Sequence, residues 1–101
     1  MAQTSLRTFQ PVYGQGVLVT TGASTSATIK KGTNAICVSN QDATDAIYIR
    51  ITVGASTATV ADYILPPLGQ STLTKSPEQD TITHVAKANT PALHYIVGNG
   101  Q

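Results

Sequence analysis

Ala46-Ile47-Tyr48-Ile49-Arg50-Ile51-Thr52-Val53 is the stretch that decides the fold. Its branched residues Ile47, Ile49, Ile51 and Val53 alternate strictly with Tyr48, Arg50 and Thr52. Successive side chains of a strand point to opposite faces, so period-two alternation marks a half-buried strand. The Ile/Val face needs a core, and the Tyr/Arg/Thr face meets water or another subunit.

Working outward, turn signals recur about every ten residues, as in a sandwich or barrel of short strands. They include Gly22-Ala23-Ser24, Lys31-Gly32-Thr33-Asn34, Asn40-Gln41-Asp42, Gly54-Ala55-Ser56, Pro66-Pro67-Leu68-Gly69, Ser76-Pro77-Glu78 and Asn89-Thr90-Pro91. Between them the sequence predicts strands at Val17–Thr20, Ser26–Ile29, Ala35–Ser39, Thr57–Val60, Ser71–Thr74, Thr81–Ala86 and Ala92–Val97. Ile82 and Val85 are out of phase by one residue, which a bulge would reconcile. The best helical candidate, Val60–Leu65, runs into Pro66-Pro67 and is limited to one turn. The expected architecture is all-β: an antiparallel β-sandwich, jelly-roll or Ig-like, of roughly eight short strands. Residues 1–15 lack alternation and read as an extended N-terminal arm on a sandwich domain at 16–101.

Only 11% of the 101 residues are charged, with Lys+Arg 6 against Asp+Glu 5, where an average soluble protein has about 25%. No basic field exists to displace counterions from phosphates, so no nucleic-acid partner is expected. Thr, Ser, Ala, Asn and Gln stand where Lys and Glu would be. Such a surface sheds water more cheaply and suits permanent contact with protein. No apolar run approaches the ~20 residues that span a bilayer, so no membrane role is expected. Met1-Ala2-Gln3-Thr4-Ser5-Leu6-Arg7 lacks the apolar centre of a signal peptide, which predicts synthesis in a cytoplasm. Cys37, the single cysteine, lies in the apolar run Ala35-Ile36-Cys37-Val38 and reads as a small buried hydrophobe.

Chemistry finds little support. A nucleophilic site needs a nucleophile, a base and an orienting group. The only histidines, His84 and His94, sit inside predicted strands, and no nucleophile elbow is present. One Cys and two distant His do not make a zinc site, unless His84 and His94 are cross-strand neighbours in a hairpin. Asp42-Ala43-Thr44-Asp45 reads as a turn capped by its own side chains rather than a calcium loop. The expectation is no enzyme, with no catalytic residues, no metal and no cofactor.

The order of segments resembles the small β-sandwich proteins encoded among the head genes of tailed bacteriophages. The matching stretches are Ala27–Ile29, Ile36–Asn40, Ala46–Ile51, Asp62–Gln70 with Ser71–Thr74, Ile82–Ala86 and Leu93–Gly100. The resemblance lies in rhythm and composition over about residues 16–100. It implies a virion structural protein, most often a capsid decoration or cement protein. It further implies symmetric oligomers with a trimer favoured, a major capsid protein or another virion subunit as partner, and a place on the capsid surface after synthesis in the host cytoplasm. A cement protein needs an arm that reaches a neighbour, which makes Leu6, Arg7, Phe9, Pro11, Val12 and Tyr13 candidate contacts, with Arg50 orienting the docking. The competing reading folds Phe9 and Tyr13 back over their own sandwich and leaves Arg50 solvated. The alternative function is a tail or fibre module that recognises a host glycan through loops near Asp42, Ala55 and Gln79.

Overall fold

The computed structural model describes residues 9–100. Nine strands form: β1 (Gln10–Pro11), β2 (Val17–Thr20), β3 (Thr25–Thr28), β4 (Ala35–Asn40), β5 (Ile47–Thr52), β6 (Tyr63–Leu65), β7 (Gln70–Thr74), β8 (Thr81–Val85) and β9 (Ala92–Asn99). Sheet A runs β1-β9-β4-β7, with β2 beside β1 on the same edge of β9, and sheet B runs β3-β8-β5-β6. Every pairing is antiparallel.

The pairings nest. β5 pairs with β6, β4 with β7, β3 with β8 and β2 with β9. This is one long hairpin rolled into two sheets, the eight-stranded jelly roll. It settles the choice the sequence left open, and an Ig-like order is not formed.

The core lies between the sheets. Ile47 and Ile49 from β5 and Ile82 from β8 meet Ile36 and Val38 from β4 and Leu93, Tyr95 and Val97 from β9. Ile51 packs at its margin. Val53 does not join them and is 67% exposed. The ladder ends at Thr52↔Thr81, and Gly54 (φ 77°) donates its N–H to Asp80 Oδ1, turning the chain away one residue early.

Three expectations need correction. Thr57–Val60 is a loop, because it lies over sheet B: Ala58 N–H donates to Ser24 Oγ and Thr59 N–H to Asp62 Oδ2. The helical candidate ends as strand β6. No bulge interrupts β8, whose register against β3 and β5 is one to one. His84, rather than Val85, takes the inward position after Ile82 and is buried.

One end of the roll gathers the β2–β3, β4–β5, β6–β7 and β8–β9 loops. Thr21 N–H donates to Pro91 O, Leu68 N–H to Asp42 O, and Asn89 Nδ2 to Asp45 Oδ2. Buried Asn40 staples this end, donating Nδ2 to the carbonyls of Asp45, Leu65 and Pro66 and accepting from Asp42 N–H. The other end holds the β3–β4, β5–β6 and β7–β8 loops, where buried Lys75 donates Nζ to the carbonyls of Thr33 and Ser76. Loss of water pushes that ammonium's pKa below the usual lysine value.

Candidate interaction surface

The register places the side chains of sheet A that point away from the core. Leu18, His94, Ser39 and Gln70 form one cross-strand row, and Ile96, Cys37 and Thr72 form the next. None of these is charged. Among the described residues every charged side chain lies outside sheet A, in the loops or, for Arg50, on β5. Cys37 is therefore not a core residue. Ile36 and Val38 take the inward positions, which leaves Cys37 half-buried on the outer face, within 3.5 Å of Gln70 Nε2.

This face has an unusual sequence behind it. Ala35–Val38 and Tyr95–Val97 are apolar at both parities. A continuous apolar run in a strand normally means cover on both faces. Here the described residues cover only the inner one. His94, Ile96, Cys37 and Thr72 stay half-exposed, and Leu18 is 65% exposed.

The outer face of sheet B differs. Thr83, Ser26 and Arg50 point outward there, and the β5–β6 loop closes over them. Arg50 donates from Nε and Nη2 to Asp62 Oδ1 (3.0 and 2.8 Å) and from Nη1 to Ser56 Oγ (2.9 Å). Ser56 and Ser26 exchange further hydrogen bonds, and Ser26 Oγ meets Thr83 Oγ1 at 2.9 Å. The guanidinium holds the Asp62 carboxyl below the usual carboxylate range.

The arm candidates separate. Gln10 and Pro11 pair with Asn99 and Gly98, and Val12 donates its N–H to Val97 O and packs against the core. Phe9 lies against Gly98, where a Cβ would sit 2.6 Å from its Cζ. Phe9, Pro11 and Val12 are thus seated on their own domain. Tyr13 is 87% exposed on the turn that follows, beside Gly14 (φ 85°). Leu6 and Arg7 lie outside the described residues. Arg50 is engaged internally. The long-range β1–β9 pairing has no local signal, so sequence reading could not place residues 10–12 in the sheet.

His84 and His94 are not hairpin neighbours. β8 and β9 belong to different sheets, His84 facing the core and His94 the outer face of sheet A. Among the described residues no three His, Cys, Asp or Glu side chains gather as metal ligands would. The glycan-reading loops also separate. Asp42 lies at one end of the roll, while Ala55 and Gln79 lie at the other, where Gln79 Nε2 donates to Ile51 O. Asp42 is occupied with its own turn, and the backbone N–H groups of Thr44 and Asp45 lower its pKa.

The chain matches no protein-family model. It matches no curated protein. Solved structures that align with it include two distant ones. A de novo designed double-stranded β-helix is 19% identical, covers 82% of this chain and 94% of its own, and superposes with a TM-score of 0.47. A chain from Bacillus endospore appendages, described as a novel family of disulfide-linked pili, is 16% identical, covers 100% and 96%, and also gives a TM-score of 0.47. Both are too distant to bear on function, and the jelly-roll assignment stands on the strand pairing itself.

Proposed function

We propose that this chain is a non-enzymatic structural subunit that seats the outer face of sheet A on a larger protein shell, as a phage capsid decoration protein does. The observation that carries the reading is the uncharged face of β2, β9, β4 and β7, whose sequence is apolar enough for cover that the described residues do not provide. The phage-head resemblance adds the major capsid protein as partner and the outside of the virion as location. Among the possible bases, His84 is 2% exposed and His94 stands on an open sheet face, which favours contact over catalysis.

Size sharpens the proposal. Four strands about 4.8 Å apart and about six residues long at ~3.3 Å each span roughly 400 Å². A stable interface takes about 800 Å² from each partner. One face alone binds weakly, so the reading requires several linked copies whose contacts act together on a repeating lattice. The trimer implied by the resemblance meets that need.

The test is co-sedimentation of the full chain with heads of its phage assembled without it. Binding that saturates and raises the heat resistance of the heads is expected. Ile96→Lys, which puts a charge at mid-face without touching the core, is expected to abolish binding while the melting temperature holds. Glycan-array binding lost on substitution of Gln79, with no binding to heads, would instead favour the tail-fibre alternative.

A further inference from the structure

An edge strand offers unpaired N–H and C=O groups, and proteins that stay single blunt it with a lysine, a proline, a bulge or a very short strand. β6 is blunted: it has three residues and runs into Pro66-Pro67. On sheet A the β7 edge and the β2 part of the opposite edge are not, although the β1 part is, with two residues and Pro11. β2 (Val-Leu-Val-Thr) and β7 (Gln-Ser-Thr-Leu-Thr) carry no charge and no proline, and each pairs with its inner neighbour in unbroken one-to-one register.

Both flanks extend this character. From Thr8 to Ile29 and from Tyr63 to Thr74 no residue is charged. Six large exposed apolar side chains fall on the same two flanks, Tyr13, Val17 and Leu18 on or beside β2 and Tyr63, Ile64 and Leu68 beside β7, while Val53 and Val60 are exposed in the β5–β6 loop. Leu68 holds φ 59°, a region few non-glycine residues occupy, at the tip of its turn.

Polarity makes the two edges fit. β2 is antiparallel to β9, β9 to β4, and β4 to β7, so β2 and β7 run in opposite directions. A second copy in the same orientation, displaced sideways, sets its β2 antiparallel to the first copy's β7 and continues sheet A. The outer strands of sheet B, β3 and β6, are opposed in the same way.

We propose that copies of this chain associate edge to edge, β2 of one against β7 of the next, through a heterologous contact that closes into a ring when the rotation from one copy to the next divides a full turn without rise. The proposal deepens the reading of the chain as an assembling subunit and names the self-contact that reading requires. It is tested without any shell, so its failure and the failure of head binding are separate results.

The experiment is sedimentation velocity on the full chain and on two variants, Leu18→Lys and Thr72→Lys, each placing a lysine on one of the two edges. The wild type is expected to be an oligomer. Each variant alone is expected to lose it and run as a monomer with an unchanged circular dichroism spectrum. Mixed in equal amounts the two are expected to form a one-to-one heterodimer, because each retains the edge the other lacks. A monomeric wild type, a variant that stays associated alone, or a mixture that stays monomeric would overturn the proposal. If a variant does not fold, amide exchange on the wild type decides: β2 and β7 amides must gain protection as concentration rises, and equal exchange at all concentrations would overturn it.

Discussion

His84 is a residue whose environment contradicts its chemistry. It faces the core between Thr25 of β3 and Ile49 of β5, 2% exposed, with Nδ1 lacking any hydrogen-bond partner. Burial alone lowers its pKa below the usual histidine value, with no charged group contributing. Below about pH 6.5 the unfolded chain therefore binds a proton that the folded chain resists. Stability is complete above that pH and falls as pH drops toward the folded value, by at most ~1.4 kcal/mol per pH unit. His84→Leu is expected to flatten this slope in urea unfolding between pH 5 and 7, and an unchanged slope would contradict the assignment. Asp42, Asp62 and Asp80, whose pKa values the fold also lowers, act in a separate and more acidic window below about pH 4. Gly98 supplies a second prediction at this scale. A Cβ there would press on Phe9 and the Gln10 carbonyl, so Gly98→Ala is expected to cost about 1–3 kcal/mol in urea unfolding. Gly22→Ala, with open space around its Cβ, is expected to be nearly neutral.

Among the elements, the β5–β6 loop shows what local sequence conceals. Thr57–Val60 has strand composition, yet no strand edge waits for it. The loop is held by Arg50, Asp62, Ser24, Ser26 and Ser56, residues scattered over three parts of the chain. Arg50→Met is expected to release it, so that limited proteolysis cuts between Gly54 and Ala61 faster than in the wild type while the core melts cooperatively. Equal cleavage rates would show that the guanidinium does not hold the loop. By contrast β4, β5, β7 and β9 were legible from alternation and turn residues, because both signals are local. β1 was not, since two residues carry no period and their place depends on β9 at the far end of the chain. His84 hid for a related reason: its inward position shows only when the register of β8 is known, and a polar residue in phase with Ile82 looks like a break in the pattern.

For the whole molecule, an all-β sandwich of roughly eight strands could be read from the sequence where nine form, with β1 and β6 missed and Thr57–Val60 counted in error; the nesting that makes a jelly roll could not, because it consists of pairings between distant segments. The surface was half legible. Low charge announced an exterior suited to protein contact, but only the fold shows where the charges go: into the loops at both ends and onto sheet B, leaving the face of sheet A and both flanks bare. That segregation joins the two proposals, since the flanks serve neighbouring copies and the face serves the shell.

The most direct measurement is co-sedimentation of wild type and Ile96→Lys with heads lacking this protein. The account predicts saturable binding of the wild type, and none of a folded Ile96→Lys. Heads that pellet without the wild-type chain, or that bind Ile96→Lys equally well, would contradict it.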